Sequence, residues 1–205
     1  ITDDNIVFTD VINPEYTLTP PILGEEHRHL GVDLIVKSNM VDKSNSNQGI
    51  KVYTAIKGTV TKVKNGCKPQ DKEDGCGKYG NFIEITDLAV NAEYIDNPEG
   101  GLSIEYQELP DDGGTVYYKT IHAFLRDGIK AKVGDNITDQ QRFGAASNAV
   151  EIGILGNSGP SSGIHLHFEI RRGVVVEKEI EGEVKKIVVE HILDPANFLP
   201  FFYGL

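Results

Sequence analysis

The stretch "SSGIHLHFEI" (161–170) holds two histidines, His165 and His167, one residue apart in an otherwise apolar run. Read as a strand, it turns Ile164, Leu166, Phe168 and Ile170 to one face and His165, His167 and Glu169 to the other. A half-exposed strand whose polar face meets water accounts for such a pair when it stands alone. Upstream, "EEHRHLGVDL" sets His29 and Asp33 four residues apart with Gly31 between them. Gly31 and the following "VDLIV" argue against a helix, so this pair sits where a loop enters a strand, and both side chains can reach one cation. Zinc suits such a set, because a catalytic site commonly takes three nitrogen or oxygen ligands and leaves its fourth position to water. His29, Asp33 and one histidine of the later pair would supply the three. The other would stand beside that water as a proton carrier or charge stabiliser, and His122 in "YYKTIHAFL" is available for the same task. Alone, His122 would be a satisfied histidine in or beside a core. Together these residues use four of the six histidines.

The elements that must position them are strands. "GVDLIVK", "KVYTAIKGTVTKV", "NFIEIT", "VYYKTIHAFL", "EIGILGN", "IHLHFEI", "GVVVEKEI" and "EVKKIVVEHIL" are rich in Val, Ile, Tyr, Thr and Phe and are bounded by turn formers. Gly156, Asn157, Ser158 and Gly159 set the entry to the histidine strand. Only "TDQQRFGAASNAV" and "DPANFLPFF" have a briefly helical pattern. The expectation is an all-β, mainly antiparallel, Gly-rich two-layer domain with an open groove, long loop insertions and very little helix. Loops are expected at 41–49, between the cysteines, and along the acidic stretch 88–114, the last long enough to be a lid, a groove wall or a solvated insertion.

At 205 residues the chain suits one domain that buries a core without help from metal or disulfide, so zinc here would be catalytic rather than structural. Its net charge of −11 disfavours nucleic acid and anionic membrane as partners. No apolar run approaches a membrane span, and "ITDDNIVFTD" lacks the features of a signal peptide. Since the chain starts at Ile, it reads as a mature or excised fragment, and the missing signal says nothing about export. Cys67 and Cys76 flank a polar loop between two strand-like runs, too far apart for a zinc-ribbon pair. They point to a disulfide and hence to an oxidising compartment, with free thiols in a cytosolic protein as the alternative.

"HLGVD", followed by a strand-borne histidine and then "GNSGPSSGIHLHFEI", resembles the lysostaphin-like, or LytM-like, zinc endopeptidases of bacterial cell walls. "YGNFIEI", "KVGDNI", "IGILGNSG" and "LDPANFL" resemble the family's other segments, so the resemblance spans most of residues 24–199. It implies that His29, Asp33 and His167 bind zinc while His165 and His122 flank the water. The implied substrate is a peptide amide in peptidoglycan cross-links or bridges, held in a groove over the sheet, and the implied location is extracytoplasmic. On this reading residues 1–23 form an N-terminal strand or extension packed on a catalytic domain of residues 24–205, which carries insertions near 88–114 and 138–150. Glu169 could orient a histidine through its second nitrogen or simply face solvent. His27 rivals His29 but lacks the spacing to Asp33, and His191 reads as a surface or core histidine. Two other functions stay open: a metal-free relative acting as a regulator or binding module, and a histidine phosphocarrier, which leaves Asp33 unexplained.

Overall fold

The computed structural model describes residues 6–8, 31–36, 49–73, 75–87, 102–105, 114–137 and 150–193. Every helix or strand among them is a strand: β1 (Ile6–Phe8), β2 (Val32–Val36), β3 (Lys51–Tyr53), β4 (Gly58–Lys64), β5 (Asn81–Thr86), β6 (Leu102–Glu105), β7 (Thr115–Leu125), β8 (Asn136–Ile137), β9 (Glu151–Ile154), β10 (His165–Ile180) and β11 (Glu183–Leu193). Apart from Val150 and Gly49, the two briefly helical patterns (138–150 and 194–202) and the loop expected at 41–49 lie outside the described residues.

β10 organises the sheet. The sequence divides it into two strands at "RRG", yet it runs unbroken for 16 residues. Gly173 is there for space rather than for a turn. A Cβ at that position would come within 2.5 Å of the Tyr117 ring, which crosses the strand at this point. The register against β7 slips between Gly173 and Val174, a bulge that absorbs the crossing. The real turn follows at Glu181 and Gly182, whose φ values of 55° and 81° suit a two-residue hairpin loop. Ile180 then pairs with Glu183, and the hairpin with β11 extends from there back to Ile170 and Leu193.

Because β10 is longer than its neighbours, two strands share one of its edges. β2 pairs with His165–Phe168, and β11 takes over from Ile170 onward. β7 lines the other edge, and the main path continues through β5, β4 and β8, with β1 outside β2. These pairings are antiparallel; β6 joins β11 in parallel. β6 lies inside the acidic stretch 88–114, which therefore contains a strand rather than loop alone. Of residues 1–23 only β1 is described, paired with β2.

"KVYTAIKGTVTKV" is divided between two sheets, because β3 leaves the main sheet to pair with β9 while β4 stays in it. Val52 of β3 and Ile152 of β9 pack in one cluster with Leu34, Ile83, Leu125, Leu166 and Phe168 of the main sheet. This is the two-layer arrangement, with the core between the layers. Full burial of each such side chain contributes about 1.5–3 kcal/mol. No helix of the described residues is long and apolar enough to cross a membrane.

Candidate active site

Alternation along β10 separates two chemistries. Leu166, Phe168 and Ile170 enter the apolar core, while His165, His167, Glu169 and Arg171 occupy the opposite face. That second face is buried too, so these polar groups must find partners within the protein. Asp33 comes directly opposite His167 in the β2–β10 register. The approach is made possible by Gly31: a Cβ there would sit 2.2 Å from the Phe168 carbonyl oxygen, so any other residue would push the start of β2 off β10.

The His167 ring lies between two carboxylates. Its Nδ1 is 3.0 Å from Asp33 Oδ1 and its Nε2 is 3.0 Å from Glu169 Oε1. Glu169 has no exposed surface, so it does not face solvent; its Oε1 also accepts from the Tyr79 hydroxyl at 2.7 Å. Burial alone would raise the Glu169 pKa, but the His167 hydrogen bond and the Arg171 charge outweigh it and hold the carboxyl down to about 2. Burial likewise disfavours a charged His167, yet its hydrogen bonds to Asp33 and Glu169 prevail and raise its pKa. For Tyr79, burial and then the Glu169 charge keep the phenol protonated well above its ordinary range.

His165 has a different setting. Its Nδ1 lies 2.8 Å from the Gly163 carbonyl, which can only accept, so Nδ1 carries the proton. Nε2 is thereby left as the lone-pair nitrogen, 3.5 Å from Asp33 Oδ2. The two oxygens of Asp33 thus meet Nδ1 of one imidazole and Nε2 of the other. Donors about 2.0–2.1 Å from a tetrahedral zinc stand roughly 3.3 Å apart. The 3.0 Å between Asp33 Oδ1 and His167 Nδ1 is close to that separation and fits two ligands of one ion. His29, the expected third ligand, lies outside the described residues, among which no group of three or more His, Cys, Asp or Glu side chains is placed to hold a metal.

His122 is not brought to this face. It pairs with Phe168 across the β7–β10 ladder, and laterally paired residues point the same way, so its ring enters the core 5.0 Å from that of Phe168. It is 2% exposed, its Nδ1 has no hydrogen-bond partner, and burial drives its pKa down to about 3. His122, expected beside the water, thus lies on the other face of the sheet from His165 and His167. An irregularity in the β5–β7 register, where Asn81 opposes Leu125 but Ile83 opposes His122, brings Phe124 to the site instead. Phe124 has φ of 62°, unusual for an aromatic residue, and its ring centroid lies 4.9 Å from that of His165 and 5.7 Å from that of His167.

These groups line a cavity of about 280 Å³, with Lys78 and Ser161 on its wall. Ser161 Oγ donates to the Gly163 carbonyl and lies 3.2 Å from His165 Nδ1, bracing the ring. Sequence reasoning missed Tyr79, Lys78, Phe124, Ser161 and Arg171. Of these, only Arg171 carried a signal, as the next step of the alternation that selected His165, His167 and Glu169.

Tyr79 is held by the cysteine loop. Cys67 and Cys76 form a disulfide with a Cα separation of 5.6 Å. Gly80 N–H donates to the Cys76 carbonyl, and the Asn81 side chain accepts from Cys67 N–H and donates to the Leu125 carbonyl. Gly80 and Gly159 touch so closely that a Cβ on Gly159 would lie 2.5 Å from Gly80 Cα. Two glycines therefore lock the loop before β5 onto the loop before β10.

No protein-family model matches the chain, and no curated protein matches it. Among solved structures, a zinc-containing peptidase from Vibrio cholerae aligns at 22% identity and a TM-score of 0.45. That alignment covers 83% of this chain and 35% of the other, so the chain spans about a third of that protein. The catalytic domain of the antimicrobial peptidase lysostaphin from Staphylococcus simulans aligns at 17% identity and a TM-score of 0.43, covering 88% of this chain and 85% of that one. A mutant catalytic domain of the prophage-encoded protein EnpA from Enterococcus faecalis gives 17% identity and a TM-score of 0.42, with 84% and 85% covered. These alignments extend over 83% to 88% of this chain.

Proposed function

We propose that the chain is a zinc-dependent endopeptidase acting on peptide amides of bacterial peptidoglycan, with His29, Asp33 and His167 as metal ligands. The observation that carries the reading is the convergence of Asp33 Oδ1 and His167 Nδ1 at 3.0 Å, with the bare Nε2 of His165 turned to the same aspartate. When bound there, zinc supplies a Lewis acid for a carbonyl oxygen and lowers the pKa of a water. His165 accepts a proton at Nε2 while the Gly163 carbonyl and Ser161 fix its ring, and later returns that proton to the departing amine. Phe124 covers one side of both imidazoles. The peptidoglycan substrate comes from the motif resemblance, and the Cys67–Cys76 disulfide supports an extracytoplasmic location.

A second reading, a metal-free binding module, is favoured by the placement of His122 in the core, which leaves one imidazole rather than two beside the reaction. The test that separates the two is incubation of the zinc-loaded chain with purified walls of different cross-link chemistry, followed by mass spectrometry of the released fragments. New amino termini on at least one wall are expected. Their absence on every wall would favour the binding module.

A further inference from the structure

We propose that Arg171 is a positioning residue for the site: acting through Glu169, it fixes the His167 ring with Nε2–H on Glu169 and Nδ1 turned toward Asp33. The inference rests on the metal reading above, because it assigns a cause to the orientation that presents Nδ1 as a ligand.

An imidazole can rotate by half a turn with little change in shape, exchanging the sides on which its two nitrogens lie. What distinguishes the two orientations for His167 is the fixed acceptor at one side, Glu169 Oε1. That oxygen is fixed only if the carboxylate is. Arg171 donates to its other oxygen, Oε2, from both Nε (2.8 Å) and Nη2 (2.6 Å). The same Nη2 donates to the Tyr79 hydroxyl at 2.8 Å, and that hydroxyl donates to Oε1, closing a ring of contacts around the carboxylate. On the far side, Arg171 Nη1 donates to Glu190 Oε2 at 2.8 Å. Glu190 is itself held by the Tyr117 hydroxyl at 2.7 Å and by Lys119. The planar guanidinium is thus fastened from β10, from β11 and from the loop before β5.

Stability alone does not account for this arrangement. Buried ion networks can often be replaced by packed apolar residues without loss, whereas a fork that holds one carboxylate in one plane has no apolar substitute. The groups also lie where positioning demands, at His167, Glu169 and Arg171 on one face of one strand, with Glu190 in the neighbouring strand.

Arg171→Lys tests the proposal, since lysine keeps the charge but cannot donate to Glu169, Tyr79 and Glu190 from one plane. Two measurements are made on the full chain. Zinc affinity, by competition with a chromophoric chelator, is expected to fall about 10- to 100-fold, the usual consequence of losing the partner that orients a metal-binding histidine. In proton NMR, the His167 Nε2–H is expected as a slowly exchanging downfield signal in the parent protein and to be lost in the variant. Tyr79→Phe removes a single hydroxyl from the ring of contacts and remains informative if Arg171→Lys fails to fold; it is expected to weaken zinc about 2- to 10-fold. A folded Arg171→Lys protein that keeps the Nε2–H signal and binds zinc within twofold of the parent would overturn the proposal. If the parent binds no zinc, the metal reading fails by itself, and the NMR comparison still decides whether Arg171 orients His167.

Discussion

The two faces of β10 are buried to nearly the same degree and are held by different physics. On one, Leu166, Phe168 and Ile170 meet other apolar side chains, and what counts is area and volume. On the other, His165, His167, Glu169 and Arg171 each depend on particular partners. An apolar face tolerates change in proportion to the space it opens. A buried polar face responds to the loss of any one partner by leaving another group unpaired.

The largest expected effect separates the two histidines of the polar face. His167→Ala is predicted to lose both zinc and turnover, while His165→Ala keeps zinc and loses about 10²- to 10⁴-fold in turnover. Metal analysis beside wall-hydrolysis rates checks this, and full zinc occupancy in the His167 variant would remove His167 from the ligand set.

Next comes a direct contest between the faces. Glu169→Gln preserves shape but breaks the charge pairing with Arg171, and is predicted to cost about 3–5 kcal/mol in urea unfolding. Phe168→Leu, a comparable swap on the apolar face, is predicted to cost about 1.5 kcal/mol or less. Equal costs would mean that the polar face is held by packing after all.

Reduction of the Cys67–Cys76 bond is expected to cost about 2–3 kcal/mol from the reopened loop, and to lower activity as well because Tyr79 is anchored there.

The faces also differ in how they meet acid. His122, on the core side, has its pKa lowered from 6.5 to about 3, so below pH 6.5 the unfolded chain binds a proton that the folded one refuses. Its contribution to instability grows as pH falls from 6.5 toward 3, reaching about 2 kcal/mol at pH 5. Glu169, depressed from 4.5 to about 2, contributes stability that is present above pH 4.5 and lost as pH falls toward 2. Stability curves for His122→Leu should therefore flatten in the upper window, while Glu169→Gln flattens the lower and also lowers the His167 pKa that its charge helps to raise. His122→Leu is expected to leave turnover nearly unchanged, and a large loss there would return His122 to the site.

How much of this was legible in the sequence follows from the range of each signal. Alternation is local, so the split of β10 into apolar and polar faces, the Asp33 position at a strand start and the cysteine pair could all be read directly. His122 could not be assigned a face, because its direction depends on a register irregularity between β5 and β7, and one residue of slip exchanges the faces. Tyr79 reaches Glu169 only through a disulfide loop and two interlocked glycines, and Arg171 meets Glu190 only because β11 folds back along β10. The unbroken length of β10 was missed because Gly173 reads as a strand end when its purpose is to let the Tyr117 ring pass.

Asp33 and His167 are separated by 134 positions in sequence, and Tyr79 and Arg171 by 92. Contacts between such distant segments form late and slowly. During synthesis, Asp33 and Tyr79 are already made while the strand that unites them, β10, is still missing. The nascent chain therefore carries these side chains apart, and the cluster assembles at one stroke, when β10 threads into the gap between β2 and β7.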